Sequence, residues 1–98
     1  MILIHPDAAA EARAARRWYA ERDPAVGRRF LAEYDRTIDR IRDQPERWPP
    51  YPHLAGNFRW CRLRRFPYAI IYEVFRSVTH VLAVAADKRR PGYWATRK

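Results

Sequence analysis

The sequence predicts an α+β domain of order β-α-α-β-β-β, in which a helical hairpin packs on an antiparallel sheet. Three observations support this fold class. Apolar residues recur at helical spacing over residues 8–41, the apolar period changes to two after residue 57, and a Pro-rich loop separates the two regions. A chain of 98 residues buries one modest core, so we expect a single domain over residues 1–98.

The first half of the chain predicts one short strand and two helices. Residues 2–4 (ILI) form an apolar run that Pro6 ends, and Asp7 opens a helical pattern. Asp23 and Pro24 suit the start of a second helix, which runs to about Asp43. The apolar stripe of the first helix contains Ala8, Ala12, Ala15 and Tyr19, flanked by Ala9 and Trp18. That of the second contains Val26, Phe30, Tyr34, Ile38 and Ile41, and its charged residues, Glu33 included, are assigned to the opposite side.

The second half predicts a loop and three strands. Residues 44–57 contain four prolines and a glycine and read as a loop, which Trp48 and Tyr51 are expected to hold to the body. Residues 58–65 (FRWCRLRR) alternate, so that Arg62 and Arg64 share one face with Trp60, opposite Cys61 and Leu63. Residues 68–75 and 79–86 are apolar on both faces, which indicates strands that are covered on each side.

Positive charge is concentrated in the second half. Residues 49–98 hold 10 Lys and Arg but only 2 Asp and Glu, a net charge of +8, whereas residues 1–48 carry +1. This field favours an anionic partner, and RNA, DNA and an acidic protein all remain candidates. The two acids of this half, Glu73 and Asp87, are each expected to neutralise a nearby arginine.

The sequence predicts no cofactor and no metal site. Cys61 is the only cysteine, which excludes an internal disulfide and a cysteine-based zinc site. His5, His53 and His80 fall on a strand end, a loop and a strand start, which disfavours a three-histidine site. The sequence has no apolar run of membrane-spanning length and no signal-peptide pattern, so we expect a cytoplasmic location and no membrane partner.

Cations and aromatics cluster where the last strand ends. Residues 83–94 read AVAADKRRPGYW, so three cations and a Pro-Gly turn precede two aromatics. Arginine forks match phosphate oxygens and aromatic rings stack on splayed bases, so this pattern is typical of RNA binding. The alternative is that Tyr93 and Trp94 cover the edge of the core.

The chain resembles the RelE/ParE superfamily of toxins from bacterial type II toxin–antitoxin systems. The resemblance covers nearly the whole chain and is strongest in RRFPYAIIYEV (64–74), then in AVAADKRRPGYW (83–94). Weaker similarities are His5-Pro6 with Ala9, Glu11 and Trp18-Tyr19, then Pro24, Gly27 and Phe30, and finally Pro45 with Trp48-Pro49.

The resemblance implies two alternative activities on one fold. RelE-like members cut messenger RNA in the ribosomal decoding site, whereas ParE-like members poison DNA gyrase. If RNA is cut, the resemblance makes Arg62, Arg64, Arg89 and Tyr93 the catalytic candidates. Arg65, Lys88, Arg90 and Trp94 are then candidates for binding RNA and its phosphates. Messenger RNA cleavage is the leading expectation, and gyrase inhibition is the alternative.

Position 86 departs from the superfamily pattern, and it bears directly on the activity. Relatives with this ending commonly have His where the chain has Ala86, and alanine has no proton to transfer. The chain is therefore a weak or inactive variant, or it cleaves with arginines and Tyr93, or its target is not RNA. A degenerate toxin that only binds its antitoxin is a further alternative. In each case the resemblance implies an acidic antitoxin and a toxin–antitoxin hetero-oligomer.

Overall fold

The structure, a computed structural model, describes residues 1–97. Its elements follow the predicted order. They are β1 (Ile2–Ile4), α1 (Pro6–Arg22), α2 (Pro24–Asp43), β2 (Phe58–Arg62), β3 (Tyr68–Phe75) and β4 (Val78–Ala86). β2 is shorter than predicted because the chain turns after Leu63, whose N–H donates to the carbonyl of Tyr68, and Arg65 has a positive φ of 67°.

The four strands form one sheet in the order β1-β4-β3-β2. The β2–β3 and β3–β4 pairs are antiparallel, as predicted, but β1 pairs with β4 in parallel, with Ile4 opposite Val81. The sheet is therefore mixed rather than wholly antiparallel. The reason is that everything between β1 and β4 acts as a long crossover, which parallel neighbours require.

Both helices begin at side-chain caps that the sequence encodes. The Asp23 carboxylate accepts a hydrogen bond from the N–H of Ala25 at 2.9 Å, and Pro24 occupies the first turn of α2, as predicted. α1, which begins at Pro6, is capped in the same way by His5, whose Nδ1 accepts a hydrogen bond from the N–H of Asp7 at 3.0 Å. His5 therefore has a structural role at the start of α1.

The two helices approach closely at Gly27. A Cβ added to this glycine lies 2.6 Å from Cβ of Ala20, so no larger residue fits without a shift of the helices. The small residues of α1 thus allow the close packing that the sequence predicts.

The sheet is covered on both faces. On one face α1 and α2 bury Ala8, Phe30 and Ile41 against the sheet. On the other face the segment after β4 returns across β3 and β4, and it places Trp94 against Ile71 and Leu82. This second layer explains why β3 and β4 are apolar on both faces.

Glu33 and Trp18 depart from the predicted helix faces. Glu33, assigned to the solvent side, is 3% exposed and accepts a hydrogen bond from the N–H of Arg64 at 2.7 Å. Trp18, assigned to the flank of the buried stripe, is 50% exposed, and the Arg22 guanidinium lies 3.4 Å from its ring centroid. Glu33 is buried because it satisfies the backbone of the turn after β2, a long-range contact that helical periodicity does not reveal.

Candidate functional site

A cavity of about 270 Å³ opens where β2 and β4 end and β3 begins, and we call it the mouth cavity. Its polar and charged lining comes from three segments: the loop residue His53, Arg62 at the end of β2, and Asp87, Arg89 and Arg90 after β4. Tyr51, Trp60, Tyr93 and Trp94 form its aromatic walls. The predicted cluster of cations and aromatics therefore surrounds a real concavity.

Arg62 and Asp87 form a two-pronged ion pair at the rim of the cavity. The two guanidinium nitrogens of Arg62 donate to the two carboxylate oxygens of Asp87 at 2.9 and 2.7 Å. Both side chains are substantially exposed, at 48% and 40%. The prediction that Asp87 neutralises an arginine is confirmed, and the fork of Arg62 is occupied by an internal anion.

Tyr93 is held by Glu11 on helix α1. Its hydroxyl donates to Oε2 of Glu11 at 2.7 Å, while the Arg89 guanidinium lies 3.8 Å above its ring centroid. Burial and the hydrogen bond to Glu11 raise the pKa of Tyr93. The Tyr93 hydroxyl is therefore committed to a structural contact, and its ring serves as a support for Arg89.

Glu11 anchors the whole segment after β4. Its carboxylate accepts hydrogen bonds from the N–H of Val84 at 3.0 Å and from both terminal nitrogens of Arg97 at 2.8 and 3.1 Å, in addition to Tyr93. Burial tends to raise the pKa of Glu11, but the hydrogen bonds from Arg97, Tyr93 and Val84 outweigh it, and the pKa is lowered. Glu11 belongs to the residues that carry the superfamily resemblance, but the sequence did not predict this anchoring role.

Trp94 borders the mouth cavity from within the core. It is 1% exposed, and its ring packs edge-on against Phe58 at 4.8 Å and Tyr51 at 5.2 Å between centroids. A ring with no free face does not stack on a base. The assignment of Trp94 to RNA binding is therefore wrong, and the alternative that it covers the core is the correct one.

Arg64 and Arg65 lie away from the mouth cavity. They line a separate groove of about 820 Å³ with Arg29 and Arg36 of α2. The prediction that Arg62 and Arg64 share one strand face is wrong because β2 ends at Arg62. Their proposed roles at one RNA site are thus not supported by a shared location.

The remaining cations after β4 divide between two concavities. Arg90 lines the mouth cavity, whereas Lys88 lines a neighbouring groove with Trp18 and Tyr68. Arg89 borders both. Arg89 and Arg90 are therefore the predicted cations that the fold places beside Arg62.

His53 is the residue of the mouth cavity that sequence reasoning missed. Its ring lies 5.4 Å from that of Tyr51 and 6.3 Å from that of Trp60, in edge-to-face geometry. It is also the one histidine that lines this cavity among the described residues. The aromatic residues around position 53 in an otherwise Pro-rich loop were the only available signal.

The mouth cavity is suited to bind an anion. Arg62, Arg89 and Arg90 bring three positive charges against the single negative charge of Asp87. Ala86 also lines the cavity and offers no group for proton transfer. Residues 1–97 contain no cluster of three or more His, Cys, Asp or Glu that could hold a metal, and neither helix has the length and apolar character needed to cross a membrane.

Comparisons with known proteins agree with this fold. Residues 2–91 match the family described as "ParE toxin of type II toxin-antitoxin system, parDE". A solved structure described as "Chromosomal ParDE TA system from P. aeruginosa" is similar with a TM-score of 0.76 and 15% identity, over 87% of this chain and 92% of that chain. No curated protein matches. Because the family match extends over nearly the whole sequence, the chain belongs to the ParE toxin family of type II toxin–antitoxin systems.

Proposed function

We propose that this toxin arrests growth by binding its target without cutting RNA, and that the target is DNA gyrase. The observation that carries the proposal is the state of the predicted catalytic set. The Tyr93 hydroxyl donates its hydrogen bond to Glu11, and the guanidinium of Arg62 is paired with the Asp87 carboxylate. Ala86 has no proton to transfer. The set therefore lacks a free group for acid–base chemistry.

RNA cleavage demands more than this set provides. A base has to take the ribose 2′-OH proton, an acid has to protonate the leaving oxygen, and cations have to stabilise the phosphate. Arg89 and Arg90 meet only the last requirement, because guanidinium groups remain protonated at physiological pH. Gyrase inhibition is the activity of ParE-like members of the superfamily, and it needs a binding surface alone.

The antitoxin that this family implies has a suitable docking surface on α2. The groove lined by Arg29, Arg36, Arg64 and Arg65 has an apolar floor that includes Tyr19 and Phe66. Glu33 is the one acid in its lining. An acidic, partly disordered antitoxin that folds on binding complements this groove in both charge and apolarity.

Messenger RNA cleavage remains the second candidate, because of His53. This histidine lines the mouth cavity together with Arg62, Arg89 and Arg90, and histidine is the side chain best suited to proton transfer near neutral pH. In that case His53 takes the place that relatives give to the residue at position 86, and Ala86→His restores a second proton carrier.

One induction experiment separates the two functions. The chain is expressed without antitoxin, and transcript ends, cleaved DNA and the DNA-damage response are measured together. Gyrase inhibition predicts cleaved DNA and a damage response with intact transcripts, and the same result for His53→Ala. New transcript ends that disappear in His53→Ala, but persist in the control His80→Ala on β4, refute the proposal and establish cleavage. A chain that has no effect on growth is a degenerate toxin and also refutes it.

The docking surface is tested by co-expression with the operon partner. We expect a small acidic protein to co-purify with the wild-type chain. Arg29→Glu should weaken the complex at least tenfold, whereas Arg28→Glu should not, because Arg28 is an exposed neighbour outside the groove lining. Equal effects of the two variants contradict a partner in this groove.

A further inference from the structure

The ion pair between Arg62 and Asp87 has the geometry of a ligand contact. A carboxylate that accepts two parallel hydrogen bonds from a guanidinium occupies the position that two phosphate oxygens take in the same fork. Because both side chains are substantially exposed, the pair adds little to the stability of the fold. An anion from outside can therefore exchange with Asp87 at small cost.

The cations beside this pair are not neutralised. Among residues 1–97, neither Arg89 nor Arg90 forms a salt bridge, although the chain forms several others. Arg89 is held in place by the ring of Tyr93, which in turn is anchored by Glu11. Such ordered but uncompensated cations are typical of a site that receives an anion.

Part of the lining of the mouth cavity is aromatic. Tyr51 and Trp60 are half-buried, and the exposed ring of His53 lies beside them. These rings pack edge-to-face with one another. Aromatic rings beside cations suit a nucleotide unit, whose base stacks on a ring while its phosphate binds the guanidinium groups.

We propose that the mouth cavity binds a phosphate of a single-stranded nucleic acid, and that Asp87 is an internal competitor which holds Arg62 until the phosphate displaces it. Arg89 and Arg90 make the first contacts, and Arg62 joins after Asp87 leaves. The inference does not rest on the proposed function, because a toxin that cuts RNA and one that does not can both hold a strand here.

The matched control for Asp87 is Asp39 on α2. Asp39 also pairs with an arginine, Arg42, and is 63% exposed, but it does not line the mouth cavity. Asp87→Asn and Asp39→Asn thus change the net charge of the protein equally. Only the first releases a cation into the site.

The test measures binding of labelled five-nucleotide oligomers, oligo(dT) and oligo(U), to the full chain by fluorescence anisotropy. We expect both to bind, with Asp87→Asn about fivefold tighter than wild type and Asp39→Asn unchanged, since a single exposed charge pair changes an equilibrium constant by up to about that factor. Arg62→Ala should weaken binding, and adding Asp87→Asn to it should give no further gain. Removing Arg89 or Arg90 should reduce the salt dependence by about one counterion each.

Several outcomes overturn the proposal. An Asp87→Asn variant that binds no tighter than wild type removes the competitor role, and an equal gain in Asp39→Asn reduces the effect to net charge. If the protein binds inorganic phosphate but neither oligomer, the cavity is an anion site that does not bind nucleic acid.

Other outcomes support the proposal. Tighter binding of oligo(U) identifies RNA as the strand, and tighter binding of oligo(dT) identifies DNA. Thermal unfolding of each variant confirms that the fold is retained.

Discussion

Replacing Glu11 by Gln should loosen the segment after β4 and destabilise the protein. The Glu11 carboxylate accepts four hydrogen bonds, from Val84, Tyr93 and twice from Arg97. A glutamine retains the shape but places an N–H₂ group against these donors. Breaking a buried ion pair costs about 3–5 kcal/mol, but Glu11 and Arg97 are 18% and 16% exposed, so partial solvation reduces the loss to ~2 kcal/mol.

The assay for Glu11→Gln is thermal and urea unfolding followed by circular dichroism. A loss of ~2 kcal/mol lowers the Tm of a domain this size by roughly 8–16 °C. Glu21→Gln is the matched control, because Glu21 is an exposed glutamate on the same helix, and it should stay within about 0.5 kcal/mol of wild type. If the two variants unfold together, Glu11 does not hold the segment and the reasoning fails.

The same variant has a defined pH dependence. The pKa of Glu11 is lowered in the folded state, so its contribution is present above its ordinary value of 4.5 and is lost as pH falls through the lower folded value. The stability difference between wild type and Glu11→Gln should therefore shrink as the pH is lowered from 6 to 3. A difference that stays constant over this range contradicts the ionised state of Glu11.

The remaining predictions concern packing and one buried charge. Gly27→Ala should destabilise the fold by about 1–3 kcal/mol despite the better helix propensity of alanine, because its Cβ lies 2.6 Å from that of Ala20; a rise in Tm refutes this close contact. Trp94→Ala should cost about 3–5 kcal/mol in urea unfolding, since the ring is 1% exposed, and a loss below about 1 kcal/mol means that Trp94 is not core. Burial tends to raise the pKa of Glu33, but hydrogen bonds from the Arg64 N–H and Arg36 outweigh it, and the pKa is lowered. The stability of the wild-type protein should therefore increase from pH 3 to pH 6 by an amount that Glu33→Gln loses. If both proteins show the same dependence of stability on pH, Glu33 does not have this role.

The support of Arg89 links stability to binding. Its guanidinium lies over the Tyr93 ring, and the Tyr93 hydroxyl is fixed by Glu11 on another element. If the segment after β4 loosens, Arg89 loses its fixed position in the mouth cavity and Trp94 becomes exposed. Changes to Glu11 should thus weaken anion binding even at temperatures where the fold is intact.

The sequence by itself determined the element order and the start of α2. These features are local: an Asp-Pro pair caps a helix, a change of apolar period marks the strands, and prolines mark the loop. The apolar character of both faces of β3 and β4 also predicted a layer on each side. The concentration of positive charge near the end of β4 follows from the composition and is likewise a property of the sequence alone.

Only the tertiary structure decided which charged residues meet. Arg62 and Asp87 are 25 positions apart, Tyr93 and Glu11 are 82 apart, and Arg64 and Glu33 are 31 apart, so no periodicity relates them. The end of β2 at Arg62 separates Arg64 from the mouth cavity, and the return of the chain after β4 buries Trp94. Side-chain pairing depends on how distant segments pack, because a polar group that leaves water has to find its partner wherever the fold provides one.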